Sequence, residues 1–237
     1  MKCLTHCYTN QGDRKKNEDF AAYSYPGRTS GVWAVADGVG GAPGGEVAAR
    51  VAVERALHAY IKQPALTPDR LADVFLKTNT AIRTLAAKNE ELCGMRTTLA
   101  VLCYHRRHIM TAHVGDSRVY LFRKGKWMYQ TRDHSVTQLA LEIGGKRIFA
   151  DRGELTRAMG DPSDYLPELS EVFHVRRGDA FLLCTDGFWG NLSQADLEET
   201  LQQSDTPEAW MQALCARHQA CWTERQDNLT AITGMIR

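Results

Sequence analysis

The sequence predicts an α+β fold in which antiparallel sheets pack together and helices cover them from outside. Short apolar segments follow one another closely, which is typical of strands joined as hairpins and thus paired antiparallel. Helical periodicity appears in pairs of segments, so the expected order is strands, two helices, strands, two helices and one strand. No repeat or linker interrupts this order, and we expect one domain over residues 1–237.

The first half of the chain starts with strands and continues with two helices. Strands are predicted at residues 2–9, 20–25 and 32–37, and the first helix at 44–61. Thr67 is a favourable N-cap and Pro68 suits the first position of a second helix. The apolar face of that second helix is predicted to consist of Leu71, Val74, Phe75, Ile82 and Leu85.

The second half of the chain repeats the pattern. Strands are predicted at 97–104, 108–114, 119–122, 127–130, 180–185 and 229–233, a short helix at 135–143 and a long loop at 144–167. Ser193 and Asp196 form a capping box that opens a helix. Thr206 and Pro207 open the last helix, in which Trp210, Leu214 and Cys221 are predicted to face inward.

Composition narrows the class of protein. The formal net charge is +1 and no long basic stripe occurs, so a nucleic-acid partner is not expected. No apolar run approaches the roughly 20 residues that span a bilayer, the N-terminus lacks the apolar stretch of a signal peptide, and no membrane partner is expected. The seven cysteines are scattered, with Cys103 and Cys184 in apolar runs, which indicates a reducing compartment and a cytoplasmic location.

Asp37 lies where a buried strand meets a glycine-rich segment. A carboxylate at the end of such a strand is costly unless a cation or hydrogen bonds satisfy it. Gly38, Gly40 and Gly41 allow a tight turn and let backbone carbonyls approach a ligand. On this segment alone, an ordinary Asp-Gly turn is the favoured interpretation and a metal site is the alternative.

Five further acids occupy comparable positions, and together with Asp37 they predict a site for a hard cation. These are Glu18, Asp19, Asp116, Asp186 and Asp227. No histidine and cysteine cluster with zinc spacing competes. His113 is interpreted as a strand residue with its hydrogen bonds satisfied.

Nine segments in order make the chain resemble metal-dependent protein serine/threonine phosphatases of the PP2C (PPM) family, in its compact bacterial form. They are Arg14-x-x-Asn17-Glu18-Asp19, residues 36–41, Gly45-Glu46-Val47-Ala48, Thr97-Thr98-Leu99, residues 114–120, Arg132-Asp133-His134-Ser135, residues 155–160, residues 183–187 and Asp227-Asn228-Leu229-Thr230. Any one of these segments is weak by itself, and their common order gives the resemblance its weight.

The resemblance implies a four-layer α-β-β-α sandwich, two antiparallel sheets flanked by helix pairs, with two Mn²⁺ or Mg²⁺ ions at one end. It implies that Asp37 bridges both ions and that the carbonyl of Gly38 contacts one of them. Asp186 and Asp227 would hold the first ion, Glu18 and Asp19 would act around the second, and Asp116 would support a possible third. Arg14 would bind the substrate phosphate, a task suited to its planar guanidinium.

The implied reaction is hydrolysis of phosphoserine or phosphothreonine by attack of a metal-bridging water. Eukaryotic members carry a histidine after the first Asp-Gly, where this chain has Val39, which cannot donate a proton. His134 is interpreted as ordering the following loop rather than as the acid. Residues 144–154 coincide with the family's variable flap, where Lys146, Arg147 and Arg152 either contact a phosphopeptide or remain solvated.

Two rival functions stay open at this point. A phosphoprotein-binding regulator that has lost catalysis would lack a bridging carboxylate, whereas Asp37, Asp186 and Asp227 are all present. A two-metal nuclease is disfavoured by the neutral charge. We therefore expect a monomeric phosphatase whose partners are phosphorylated proteins, and which opposes a bacterial Ser/Thr kinase or acts on its targets.

Overall fold

The computed structural model describes residues 2–41, 43–144, 154–222 and 225–237. These residues form eleven strands and six α-helices. The strands are β1 Cys3–Asn10, β2 Asp19–Gly27, β3 Ser30–Asp37, β4 Leu99–His105, β5 His108–Val114, β6 Arg118–Arg123, β7 Lys126–Gln130, β8 Glu168–Leu169, β9 Phe173–His174, β10 Ala180–Cys184 and β11 Leu229–Ile236. The helices are α1 Gly45–Lys62, α2 Pro68–Lys88, α3 Val136–Glu142, α4 Asp186–Trp189, α5 Gln194–Gln202 and α6 Pro207–Ala220, with a 3₁₀ turn at Glu90–Leu92.

The strands form two antiparallel sheets. The first has the order β1-β11-β10-β6-β7, and the second has the order β2-β3-β4-β5-β8, with β9 also pairing with β5. Helices α1 and α2 pack on the outer face of the second sheet, and α5 and α6 pack on the outer face of the first. The predicted α+β sandwich of two antiparallel sheets flanked by helix pairs is confirmed.

Strand β3 shows why the central segments are continuously apolar. Its side chains alternate between two cores, because successive residues of a strand point to opposite faces. Trp33 and Val35 pack between the two sheets, whereas Val32, Ala34 and Ala36 face helices α1 and α2. Both faces of β3 are therefore buried, which explains a run of apolar residues without polar alternation.

The helix pair on the first sheet is anchored by Trp210. Its ring meets Phe122 edge-on at 5.4 Å between centroids, and its indole N–H donates to Thr200 Oγ1 at 3.2 Å. The prediction that Cys221 faces inward is wrong. Helix α6 ends at Ala220, so Cys221 lies in the following turn and is exposed.

The predicted helix caps are confirmed. The side chain of Thr67 accepts the N–H of Arg70, and Ser193 and Asp196 form the reciprocal capping box. Thr206 accepts the N–H of Ala209 in the same way. Each cap satisfies a backbone donor that the first helical turn leaves unpaired.

Several features lie outside these predictions. Strands β8 and β9 were not predicted, and Asp186 begins a short helix rather than a simple turn. Lys146, Arg147 and Arg152 lie outside the described residues. All seven cysteines are unpaired, with Cys103 and Cys184 buried as predicted. In the described parts of the chain, no helix combines the length and apolar character that crossing a bilayer requires.

Candidate metal centre

One edge of the sandwich collects the predicted acidic residues from both sheets. A cleft of about 250 Å³ opens there. It is lined by Arg14, Glu18, Asp37, Gly38, Val39, Gly40, Thr98, Asp116, Leu155, Asp186, Asp227 and Asn228. Among the predicted site residues, only Asp19 is absent from this lining. The structure therefore brings together residues that are up to 213 positions apart in the sequence.

Asp37 ends β3, and its main chain is fixed by two threonines. Its N–H donates to Thr98 Oγ1 at 2.9 Å, and its carbonyl accepts the Thr98 N–H and the Thr97 hydroxyl, both at 2.8 Å. Thr98 Oγ1 also lies 2.6 Å from Ser117 Oγ. These bonds connect the end of β3 to the loop that carries Asp116.

Asp19 begins β2 and is the cross-strand partner of Asp37. It is 8% exposed, and its Oδ2 accepts the Thr185 hydroxyl at 2.9 Å. Its Oδ1, and the Oδ1 of Asp186, are buried and have no hydrogen-bond partner. An unpaired buried carboxylate oxygen is costly, so these two atoms are the strongest indication of an ionic ligand.

Asp227 precedes β11 and lies at the mouth of the cleft with Arg14. Arg14 Nη2 donates to Asp227 Oδ2 at 2.5 Å, and both side chains are partly exposed. Asn228 organises the loop before β2, because its Oδ1 accepts the Glu18 N–H at 2.8 Å and its Nδ2 donates to the carbonyls of Gln11 and Lys16. The loop with Arg14 and Glu18 is thus tied to the start of β11.

Asp116 is held by Trp189 of helix α4. The indole N–H of Trp189 donates to the Asp116 carbonyl at 3.0 Å. The guanidinium of Arg118 lies 3.3 Å from the centroid of the same indole ring. Arg118 in turn forms a two-pronged ion pair with Asp133, at 2.8 and 2.7 Å. This assembly links the helix that begins at Asp186 to the loop of Asp116.

Two glycines are required by close approach of the backbone. A Cβ on Gly38 would come within 2.4 Å of the carbonyl carbon of Gly45. A Cβ on Gly187 would come within 2.1 Å of the Asn228 carbonyl oxygen. No side chain fits at these distances, so the glycines of both Asp-Gly pairs let other segments pack against the acidic ends.

Without a bound cation, the buried carboxyl groups of the site have raised pKa values and resist becoming charged together. Burial raises the pKa of Asp19 to about 7. Burial, with Asp19 and Asp186 nearby, raises the pKa of Asp37 well above its usual range. Burial also raises the pKa values of Asp116 and Asp186. Like charges in a desolvated space cannot all ionise unless a cation compensates them.

The residues present fit a hard divalent cation. The donors are carboxylate and carbonyl oxygens, which select Mg²⁺ or Mn²⁺ over zinc. The two unpaired oxygens of Asp19 and Asp186 provide free ligand positions. The set draws on both sheets, as expected for a site that serves more than one ion.

A second group of potential ligands consists of His113, His134 and Glu168. Within the described residues, this is the group of three whose donor atoms lie within 4.8 Å of one another. The two imidazoles stack at 4.7 Å between centroids. His113 Nε2 donates to the Arg132 carbonyl at 2.6 Å, and His134 Nδ1 accepts the Gly115 N–H at 3.2 Å.

The hydrogen bonds of His134 oppose metal binding by this second group. The buried His113 Nδ1 has no hydrogen-bond partner within the described residues, so the prediction that His113 has its hydrogen bonds satisfied is wrong. Because His134 Nδ1 accepts a backbone N–H, its proton lies on Nε2, which faces Glu168 Oε2 at 3.3 Å. A metal on Nε2 would move that proton to Nδ1, against the Gly115 N–H. The His134 side chain is absent from the cleft lining, and its main chain bonds both Gly115 and Thr156. This arrangement agrees with a role in ordering the neighbouring loops.

Sequence reasoning missed the residues that hold the ligands in place. Thr98 and Asn228 were noted only as parts of motifs, although they position Asp37 and Glu18. Thr185 and Trp189 gave no signal of their own. A hydroxyl residue directly before Asp186 is the one local feature that could have pointed to Thr185.

Comparison with known proteins identifies the family. Residues 9–232 match the family described as Protein phosphatase 2C. The chain belongs to this family. The chain is 30% identical over 210 residues to the serine/threonine protein phosphatase PstP of Mycobacterium tuberculosis, and the match covers 83% of the chain and 38% of PstP. It therefore spans well under half the length of that relative.

Two further comparisons extend the match. The chain is 31% identical over 182 residues to the serine/threonine phosphatase stp of Listeria innocua, and the match covers 73% of the chain and 72% of stp. The crystal structure of the PstP catalytic domain in complex with two manganese ions superposes with a TM-score of 0.82 at 28% identity, covering 99% of each chain.

Proposed function

We propose that this chain is a Mn²⁺- or Mg²⁺-dependent protein phosphatase that hydrolyses phosphoserine and phosphothreonine. The single observation that carries the proposal is the cleft of oxygen donors together with the buried, unpartnered carboxylate oxygens of Asp186, which lines the cleft, and of Asp19, the cross-strand partner of Asp37. Membership of the protein phosphatase 2C family supports it, as does the similarity to PstP and stp, which are serine/threonine phosphatases.

We assign the metal ligands as follows. Asp37 would contribute to both ions and the Gly38 carbonyl to one of them. Asp186 and Asp227 would hold the first ion, and Glu18 and Asp19 would hold the second. The position of Asp116 in the cleft lining supports its assignment to a third ion. When bound, two such ions supply charge neutralisation for phosphoryl oxygens and a nucleophilic water at neutral pH.

The side chains of the cleft do the remaining work. Arg14 stands at the mouth, where its guanidinium can bind a phosphate in two-pronged geometry. Thr98 and Asn228 position Asp37 and Glu18 by accepting hydrogen bonds from their backbone N–H groups. Val39 lines the cleft beside Asp37 and donates no proton. We therefore assign the proton for the leaving alkoxide to solvent rather than to a histidine.

The domain organisation, location, oligomeric state and partners are also proposals. We propose a single catalytic domain over residues 1–237, a cytoplasmic location, a monomeric state, and phosphoprotein partners that include a Ser/Thr kinase or its targets. The unpaired cysteines support the reducing compartment. The reducing location and the kinase partner are independent of the chemistry of the cleft.

The test is hydrolysis of a phosphothreonine peptide with EDTA, with Mg²⁺ and with Mn²⁺. We expect turnover that requires metal and that is lost in Asp37→Asn, while Arg83→Gln, on the distant surface of α2, behaves as the wild type. Metal-independent turnover, or a trapped covalent phosphoenzyme, would refute the mechanism. Metal binding without turnover would instead support a phosphoprotein-binding regulator.

A further inference from the structure

The edge of the sandwich opposite the acidic cleft carries exposed arginines. Strand β3 runs from this edge at Ser30 to the cleft at Asp37. Three chain segments meet here: the β2–β3 turn, the β4–β5 turn and the segment between β9 and β10. They contribute Arg28, Arg106, Arg107, Arg176 and Arg177, all exposed, and we call these five residues the arginine edge.

Backbone hydrogen bonds hold the three segments side by side. The Arg106 N–H donates to the Thr29 carbonyl at 2.8 Å, and the Val175 N–H donates to the Arg107 carbonyl at 2.8 Å. Arg28 precedes Thr29, and Arg176 follows Val175. The five arginines therefore belong to one connected surface rather than to independent loops.

The charges of the arginine edge are uncompensated. Within the described residues, none of the five forms an ion pair with a carboxylate, whereas Arg70, Arg83 and Arg96 elsewhere on the surface do. Asp179, the buried acid beside the edge, is engaged by Arg123 and by the Arg176 N–H. The charges of these exposed arginines are therefore available to an anionic partner.

Arg106 and Arg107 form the β4–β5 turn, and both have a backbone conformation that is unfavourable for arginine. Their φ angles are 47° and 70°, in the left-handed region that residues other than glycine, asparagine and aspartate rarely adopt. Hairpin turns of this kind favour Asn-Gly. The β6–β7 turn of the same chain follows the preference more closely, with Gly125 at its second position. Strained residues of this kind concentrate at functional sites.

We propose that the arginine edge is a docking surface for an acidic segment of a partner polypeptide. Arginine forks match carboxylate pairs, and five of them without partners provide the complementary charge. An acidic polypeptide fits better than a membrane, because the edge consists of turns and has no amphipathic helix to insert. A nucleic acid would need a longer basic stripe than a chain of net charge +1 offers.

The distance to the cleft makes this surface independent of the chemistry. Eight residues of β3 separate the two ends, which corresponds to about 23 Å at strand spacing. This exceeds two Debye lengths at about 0.1 M salt, so the arginines do not act electrostatically on a phosphate in the cleft. A substrate engaging both sites needs at least about seven extended residues between its phosphate and its acidic segment.

The first test uses a turn replacement that preserves the fold. Arg106→Asn with Arg107→Gly removes two charges and installs the preferred turn sequence, so the variant should unfold at the same or a higher temperature. The matched control, Arg55→Gln with Lys88→Gln, removes two unpaired cations from the groove between α1 and α2. Fluorescence anisotropy of a labelled oligoglutamate peptide should show about tenfold weaker binding to the turn variant and unchanged binding to the control.

Competition identifies the class of partner. Phosphatidylglycerol vesicles and a single-stranded oligonucleotide are added as separate competitors, and the peptide should remain the tightest ligand. Tighter binding of either competitor, or equal peptide binding by the turn variant and the wild type, would overturn the proposal. Concentration-dependent self-association lost in the turn variant would also overturn it in favour of a second copy of the chain.

A kinetic experiment tests whether the arginine edge contributes to substrate choice, a role that rests on the proposed phosphatase function. Two phosphothreonine peptides are compared, one of which carries a distant oligoglutamate extension. For the wild type and the control, the extension should lower KM about tenfold with kcat unchanged, and for the turn variant it should have no effect. An extension effect that persists in the turn variant refutes docking. Absence of all turnover, with peptide binding as expected, refutes only the phosphatase function.

Discussion

Replacement of Arg118 by methionine tests the assembly that supports Asp116. Arg118 forms two hydrogen bonds with Asp133, donates from Nη1 to Tyr120 Oη at 3.0 Å and stacks on Trp189. The side chains of Arg118 and Asp133 are 19% and 8% exposed. Methionine keeps the length and apolar stem of arginine but leaves the Asp133 carboxylate buried without its cation.

The cost follows from this stranded charge. Removing one partner of a buried ion pair costs about 3–5 kcal/mol, compared with a total stability of about 5–15 kcal/mol for a domain. For a chain of this size, that loss corresponds to a decrease in Tm of about 6–20 °C. Arg118→Met with Asp133→Asn removes the stranded charge and should recover about half of the loss.

Equilibrium unfolding in urea, followed by tryptophan fluorescence, measures these differences. The control is Arg83→Gln, which breaks an exposed ion pair of 3.4 Å with Asp164 and should cost no more than about 0.5 kcal/mol. A cost of Arg118→Met as small as that of the control would show that Arg118 does not compensate a buried charge. The same conclusion would follow if the second substitution, Asp133→Asn, restored no stability.

Three further predictions concern the cleft and its supports. Asp37→Asn removes a proposed metal ligand, so Mn²⁺ should raise the Tm of the wild type but not that of the variant. The metal-free Tm should stay equal or rise, because the substitution also removes one of several facing carboxylates. Equal Mn²⁺ shifts would contradict the ligand assignment. Trp189→Phe keeps a ring beneath Arg118 but removes the indole N–H that donates to the Asp116 carbonyl, so stability should fall by about 1 kcal/mol. Calorimetry should also show weaker Mn²⁺ binding at the weakest site. Unchanged binding there would exclude a role of Trp189 in positioning Asp116. Burial, with His113 and Arg157 nearby and Glu168 opposing, lowers the pKa of His134 to about 4. The contribution of the neutral His134 ring to folding stability is therefore fully present above about pH 6.5 and is lost as the pH falls toward 4. The advantage of the wild type over His134→Gln should shrink by on the order of 2–3 kcal/mol between pH 7 and 4 in urea titrations, and a constant difference would disprove it.

The fold was predictable wherever local pattern and burial agree. The helix caps at Thr67, Ser193 and Thr206 are local hydrogen bonds, and sequence rules describe such bonds directly. The pairing of apolar segments into hairpins followed from short connections. Strands β8 and β9 could not be predicted, because each has two residues and is defined by its pairing with β5 rather than by composition.

The acidic residues of the cleft were predictable, but their supports were not. Asp37 and Asp186 stand at the ends of apolar runs before glycine, a position that a sequence shows. The hydrogen bond from Trp189 to the Asp116 carbonyl joins residues 73 positions apart. Nothing local distinguishes that tryptophan from a core residue. Cys221 illustrates the opposite error, since helical spacing was extended one residue past the end of α6.

The proposed ligands are distributed over both sheets, so metal affinity would depend on how the sheets pack. Asp19 and Asp37 belong to the second sheet, whereas Asp186 and Asp227 flank strands of the first. Between the sheets, Trp33 meets Phe181 at 4.7 Å between ring centroids. Ions held by the proposed ligands would bridge the two layers, and any change that separates the layers would separate the donors as well. Binding and folding are then linked, so a weakened core between the sheets should be detected first as reduced Mn²⁺ affinity.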